Sequence, residues 1–220
     1  MQNNFMERAS DSLRASGLFI TFEGVEGSGK TTQIRRVAEW LRKERHRCIL
    51  TREPGGTPLA NRIRRILLDP KNKGIHPFLE LTLYLAARRD HLERVIRPAL
   101  RQGMVVLCDR FHDATLAYQG FGRRLPLKAV VRMNDSVIGP TRPDLTFLFD
   151  LPTAEGLRRA KGRHRKVDRL EKEAIRFHRR VRLGYLTLAR RDRKRFRILD
   201  GRKSRAEIFR EIRCRVEGFL

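Results

Sequence analysis

Near the start of the chain, Gly24-Val25-Glu26-Gly27-Ser28-Gly29-Lys30-Thr31 carries the complete GxxxxGK[ST] spacing. A loop of this kind turns tightly on its glycines, aims amide hydrogens at phosphate oxygens and presents them to the positive end of the helix that follows. In that pattern Lys30 would bridge the β- and γ-phosphates of a nucleoside triphosphate, and Thr31 would give its hydroxyl to magnesium. Glu26, Gly27, Ser28, Gly29 and Thr32 complete the candidate ATP-binding stretch. Glu26 is the unusual member, because a carboxylate beside polyphosphate meets like charge unless a cation intervenes. It reads either as a group that positions magnesium or water, or as a solvated loop residue.

Two further groupings hold reactive side chains. Asp109 closes the apolar run Met104–Cys108 and is a candidate for orienting magnesium-bound water or a phosphate-binding arginine, and Arg110 beside it suits bidentate contact with a second substrate's phosphate. In Arg52-Glu53-Pro54-Gly55-Gly56-Thr57 the glycines permit close approach, Arg52 could grip a monophosphate, and Glu53 could accept from a sugar or orient the arginine. The same stretch also reads as a rigid turn held by a local ion pair. The histidines show no metal-ligand spacing, so magnesium would be held mainly through phosphates, Thr31 and water.

These groups need strands and helices to hold them. Leu18–Glu23, Cys48–Thr51, Met104–Cys108, Leu145–Phe149 and Arg195–Leu199 read as buried strands. Apolar residues at helical spacing mark 31–45, 59–68 and 78–96, with Pro98 near the end of the last, and further helices are expected at 127–133, 154–160, 171–190 and 205–216. Residues 135–144 read as turns, and Asp109 to Gly120 as a loop. Strands separated by helical crossovers imply one α/β domain with a parallel sheet covered on both faces, and residues 1–17 form an expected flexible extension.

The sequence holds 220 residues, with 50 Lys and Arg against 25 Asp and Glu, a formal charge of +25. That excess attracts polyanions, so non-specific nucleic-acid binding is expected, yet no zinc finger or other recognition module accompanies it, and general compositional bias would look the same. Three separated cysteines exclude a disulfide framework, and no apolar run is long enough to cross a membrane. A cytoplasmic location follows as an expectation.

In order along the chain, GVEGSGKTT, TREPGGTPLA, LAARRDH, DRFHDATLAYQG, RPDLTFLFD and KVDRLE resemble the signatures of bacterial-type thymidylate kinases, over residues 18–218. The resemblance implies a three-layer nucleoside monophosphate kinase fold with a five-stranded parallel sheet and a short basic lid at about residues 161–170. It implies transfer of the γ-phosphoryl of ATP to dTMP, with Mg2+, by a homodimer. Tyr84, which otherwise reads as a core aromatic, would stack on the thymine, with Arg88 facing base and phosphate. Arg110 and Arg52 would bind the acceptor phosphate, and Asp109, Glu53 and Pro54 would help hold that end. Tyr118 would wall the deoxyribose beside Gln119, and Thr115 would approach the base edge. Ala114 departs from the family pattern, which has serine there. The P-loop has Gly27 where another type within the family has arginine, so Arg163, Arg165 and Arg169 become the lid candidates for stabilising charge, alongside Lys30 and Asp109, with Asp168 fixing the lid's orientation. The alternatives are a P-loop kinase for another pyrimidine nucleotide or nucleoside, and a nucleic-acid-associated ATPase.

Overall fold

The computed structural model describes residues 17–162 and 168–220. Five strands, β1 (Phe19–Gly24), β2 (Cys48–Arg52), β3 (Val105–Asp109), β4 (Leu145–Asp150) and β5 (Phe196–Asp200), lie in the order β2-β3-β1-β4-β5. Every pairing is parallel. All the carboxyl ends therefore open on one edge, and β1, the central strand, delivers the P-loop there.

Between the strands run α1 (Lys30–Lys43), α2 (Pro58–Leu68), α3 (Pro77–His91), α4 (Arg97–Arg101), α5 (His112–Thr115), α6 (Leu127–Ile138), α7 (Thr153–Lys161), α8 (Ile175–Arg191) and α9 (Arg205–Glu217). Strand alternation divides the core in two. Ile20 and Phe22 face Ile34, Val37 and Leu41 of α1 and Ile208, Ile212 and Val216 of α9. Phe19, Val106 and Cys108 face the opposite way, onto Leu92, Ile96 and Leu100. On that second face Leu148 and Phe196 meet Val181, Tyr185 and Ala189 of α8. Glu23, two positions beyond Thr21 on β1, also belongs to this second face, which places a carboxylate beneath α8.

Three expectations are corrected. Pro98 does not end the helix that begins at Pro77, because a π-helical stretch, Leu92–Ile96, leads directly into α4 with the proline in its first turn. The π-helical turn before it lets the helix carry on past a residue that has no N–H to give. The segment after Arg110 is a helix and not a loop, with α5 running into a π-helical stretch, Leu116–Gly122. Residues 135–138, expected in a turn, extend α6 until Gly139, whose φ of 56° ends it. Of the expected extension only Gly17 lies within the described residues, and its amide donates to Leu100 O.

Candidate active site

Gly24, Gly27 and Gly29 all have positive φ, and Gly29 caps α1 with φ 94°. The loop is closely backed: a Cβ on Gly27 would collide with the Gly156 carbonyl of α7, and a Cβ on Gly156 would lie 2.6 Å from Glu26 O. Backbone therefore rests on backbone at Gly27. Lys30 Nζ donates to Gly24 O (2.9 Å), Val25 O (2.8 Å) and Ser28 Oγ (3.2 Å). Burial, helped by the charge of Arg110, pushes its ammonium down to about 8. Thr31 Oγ1 donates to Asp109 Oδ2 at 3.2 Å, so register between β1 and β3 brings the two hydroxyl and carboxylate groups to one point.

A cavity of about 710 Å3 extends from this loop, lined by Glu26 to Thr32, Arg52, Glu53, Pro54, Tyr84, Arg88, Asp109, Arg110, Thr115, Tyr118 and Gln119. Every expected site residue outside the basic segment thus reaches one space. Within it Arg110 has a φ of 71°, rare for a side-chain-bearing residue, and its guanidinium is held on three sides. Its Nη2 donates to Glu26 Oε1 (3.1 Å), its Nη1 donates to Tyr185 Oη (3.0 Å), and its guanidinium lies 4.9 Å from the centre of the Tyr118 ring. Tyr118 Oη also donates to Glu26 Oε1. Burial alone would raise the Glu26 carboxyl, but His178, Arg110, Lys30 and Tyr118 together hold it well below the usual range.

That arrangement ties one oxygen of Glu26 to Arg110 and Tyr118. Glu26 Oε2 is buried without a hydrogen-bond partner, and the hydroxyl–carboxylate pair at the P-loop is Thr31 with Asp109. Arg88 is corrected in part. It donates to Glu53 Oε2 (2.7 Å), Thr115 Oγ1 (2.8 Å), Asn134 Oδ1 (2.8 Å) and Phe111 O (3.0 Å), so its guanidinium chiefly ties α3 to the acceptor wall. Burial would raise Glu53, but Arg88 and His91 outweigh it and lower the carboxyl. Gln119 donates its amide to Glu80 Oε1 at 2.8 Å, which turns it toward α3.

Arg169 is corrected more strongly. It donates Nε to Leu67 O (2.7 Å) and Nη2 to Glu80 Oε2 (2.6 Å), and it is absent from the cavity lining. A guanidinium buried against a carboxylate anchors the segment instead of facing phosphate. Arg163 and Arg165 lie outside the described residues, and Asp168 lines the cavity.

Some residues escaped the sequence reading. Arg64 of α2 lines the cavity and donates to Pro54 O at 2.9 Å, and its place on the stripe Ala60, Arg64, Leu67 was a usable signal, since an arginine on a buried face needs a partner. Tyr185 and His178 sit likewise on the core stripe of α8. Among the described residues no group of three or more His, Cys, Asp or Glu could hold a metal, and no helix is long and apolar enough to cross a membrane.

The architecture has known counterparts. The crystal structure of thymidylate kinase from Ehrlichia chaffeensis superimposes with a TM-score of 0.74 and 34% identity, covering 91% of this chain and 98% of that one. Thymidylate kinase of Geobacter sulfurreducens is 53% identical over 190 residues, 84% of this chain and 89% of the relative. Thymidylate kinase of Halothermothrix orenii is 50% identical over 206 residues, 93% and 98% respectively. The thymidylate kinase family model matches residues 22–212, from the end of β1 to the last turns of α9. With the family model matching most of the chain, relatives half identical to it and the same fold in a solved structure, the chain belongs to the thymidylate kinase family.

Proposed function

We propose a division of labour in this cavity for the reaction of the family, ATP + dTMP giving ADP + dTDP. The observation that carries it is the one cavity that P-loop residues Glu26, Lys30 and Thr31 line together with Tyr84, Arg110 and Tyr118. Lys30 and the loop amides hold the β- and γ-phosphates of ATP. Arg110 and Arg52 hold the acceptor phosphate, Tyr84 offers its ring to the thymine, and Tyr118 with Glu26 borders the sugar. Thr115 and Arg88 set the base-side wall through their mutual hydrogen bond.

Thr31 and Asp109 pair two hard oxygen donors next to Lys30, a set suited to a magnesium ion held mostly by phosphates. Bound there with ATP, the ion would offset charge on the phosphates. The acceptor phosphate is already ionised, so transfer rests on alignment and charge neutralisation and not on a general base. His112, buried behind the wall and pushed down to about 4 by burial, takes no such role. The remaining cations are assigned to Arg163 and Arg165.

A homodimer in the cytoplasm completes the reading. It is supported by the exposed apolar residues Leu59 and Ile66 on α2 and Phe78 and Leu79 at the start of α3. Coupled ADP-release assays across nucleoside monophosphates test the acceptor. dTMP should give the highest kcat/KM, with dUMP lower by about tenfold for want of one methyl contact. Preference for another pyrimidine nucleotide would overturn the acceptor assignment.

A further inference from the structure

Glu23 lies beneath the site with no exposed surface, and no step proposed so far uses it. Burial at the end of β1 raises its pKa to about 8. An apolar residue there would avoid that desolvation cost, so attention falls on what its two oxygens touch. Oε1 accepts from the backbone amide of Phe111 at 2.7 Å, and Oε2 accepts from Tyr185 Oη at 2.7 Å. Both contacts lead to the same residue. Phe111 follows Arg110 directly, and Tyr185 Oη in turn accepts from Arg110 Nη1 at 3.0 Å.

We infer that Tyr185, seated on Glu23, is the positioning residue that fixes the Arg110 guanidinium in the acceptor-phosphate site, with Glu23 holding both the backbone after Arg110 and the tyrosine hydroxyl. Three features support this. Arg110 holds a left-handed backbone conformation that must be stabilised from outside, and Glu23 bonds the very next amide. The Tyr185 hydroxyl is a junction, accepting from the arginine and donating to a carboxyl oxygen of Glu23, so removing one oxygen atom breaks both bonds. Finally, Glu26 on the other branch of the guanidinium and Tyr118 beneath it leave Tyr185 as the contact that decides which way Nη1 points. A mispointed donor weakens acceptor binding without touching the ATP phosphates.

The inference rests on the reading of Arg110 as the acceptor-phosphate ligand, and the experiment separates the two. Tyr185→Phe, Arg110→Ala and the double variant of the full-length enzyme are compared by steady-state kinetics with dTMP and ATP varied in turn. Calorimetric dTMP binding to each folded protein accompanies the kinetics. Tyr185→Phe should raise the KM for dTMP by about tenfold while ATP KM and kcat stay within about twofold, as loss of one hydrogen bond to a charged group implies. In the Arg110→Ala background the same change should add under about twofold, because its effect passes through the arginine. A packing role would instead lower dTMP and ATP binding together, or add equally in both backgrounds, and either result overturns the inference. Unchanged dTMP KM in Tyr185→Phe with a raised KM in Arg110→Ala overturns it while sparing the acceptor reading. Unchanged KM in Arg110→Ala removes that reading and this inference with it.

Discussion

Arg169 spends its guanidinium on Leu67 O and Glu80, with its own amide on Leu68 O, so it ties the chain after residue 167 to the end of α2. Its substitution and that of Arg163 with Arg165 should therefore fail in different ways. Arg169→Ala is expected to lose about 2–3 kcal/mol of stability in urea denaturation, since a buried charged hydrogen bond disappears. Its kcat at a temperature where it remains folded should change little. The Arg163→Ala/Arg165→Ala double variant should keep its stability and lose roughly a hundredfold in kcat, as expected of cations that act on the transferring phosphoryl. A hundredfold kcat loss confined to Arg169→Ala would return that residue to the reaction. Sequence could name Arg88 and Arg169 as cations near the site but not their partners. Those lie 23 to 102 positions away in the chain, at Phe111 and Leu67 among others, and only the packed fold brings them together. The placement of Lys30 and Thr31 was legible because it follows from local backbone geometry alone.

Elements whose cues are local were readable for the same reason, and those that depend on neighbours were not. The five strands match their expected spans to within a residue; β1, β3 and β4, buried on both faces, show as unbroken apolar runs, while the edge strands β2 and β5 are partly exposed. The stretch His112–Gly122 holds mixed polarity and a glycine pair, which reads as loop, yet packing of Leu116, Ala117 and Tyr118 against α3 and α8 makes it helical. Contact between α7 and the P-loop was equally hidden, being a meeting of two glycines with no side chain to signal it. It is testable through Gly156→Ala, whose methyl would press on Glu26 O. The P-loop must then shift, and misplacement of phosphate by a few tenths of an ångström up to about 1 Å can cost as much as a hundredfold in rate. We expect kcat to drop by at least about tenfold with the melting temperature less affected. Wild-type kcat in this variant would show that the loop yields without consequence.

Across the whole molecule, two buried groups shape stability against pH in opposite senses. His112 is pushed down by burial to about 4, so between about 6.5 and 4 the unfolded chain binds the extra proton and stability is lost on acidification. Glu23 is pushed up by burial to about 8. Between 4.5 and 8 the folded chain binds the extra proton, and stability falls as pH rises. The lowered carboxyls Glu26, Glu53 and Asp113 act only on the acid side of that window. Glu23→Gln should therefore gain stability relative to the parent as pH climbs from 5 to 8, by a few kcal/mol in urea midpoints, on the order that such a shift implies. A constant difference across that range would show Glu23 ionised throughout. No composition count reveals these groups, since what matters is which face of β1 meets α8.

The contact of Gly27 with Gly156 also bears on descent. A single codon change that brought arginine to position 27 would drive a side chain into a carbonyl of α7, so that mutant would be lost before its cation could be of use. The helix must retreat first, and while it sits where it does, lineages with this backbone have no neutral one-step path to the other arrangement.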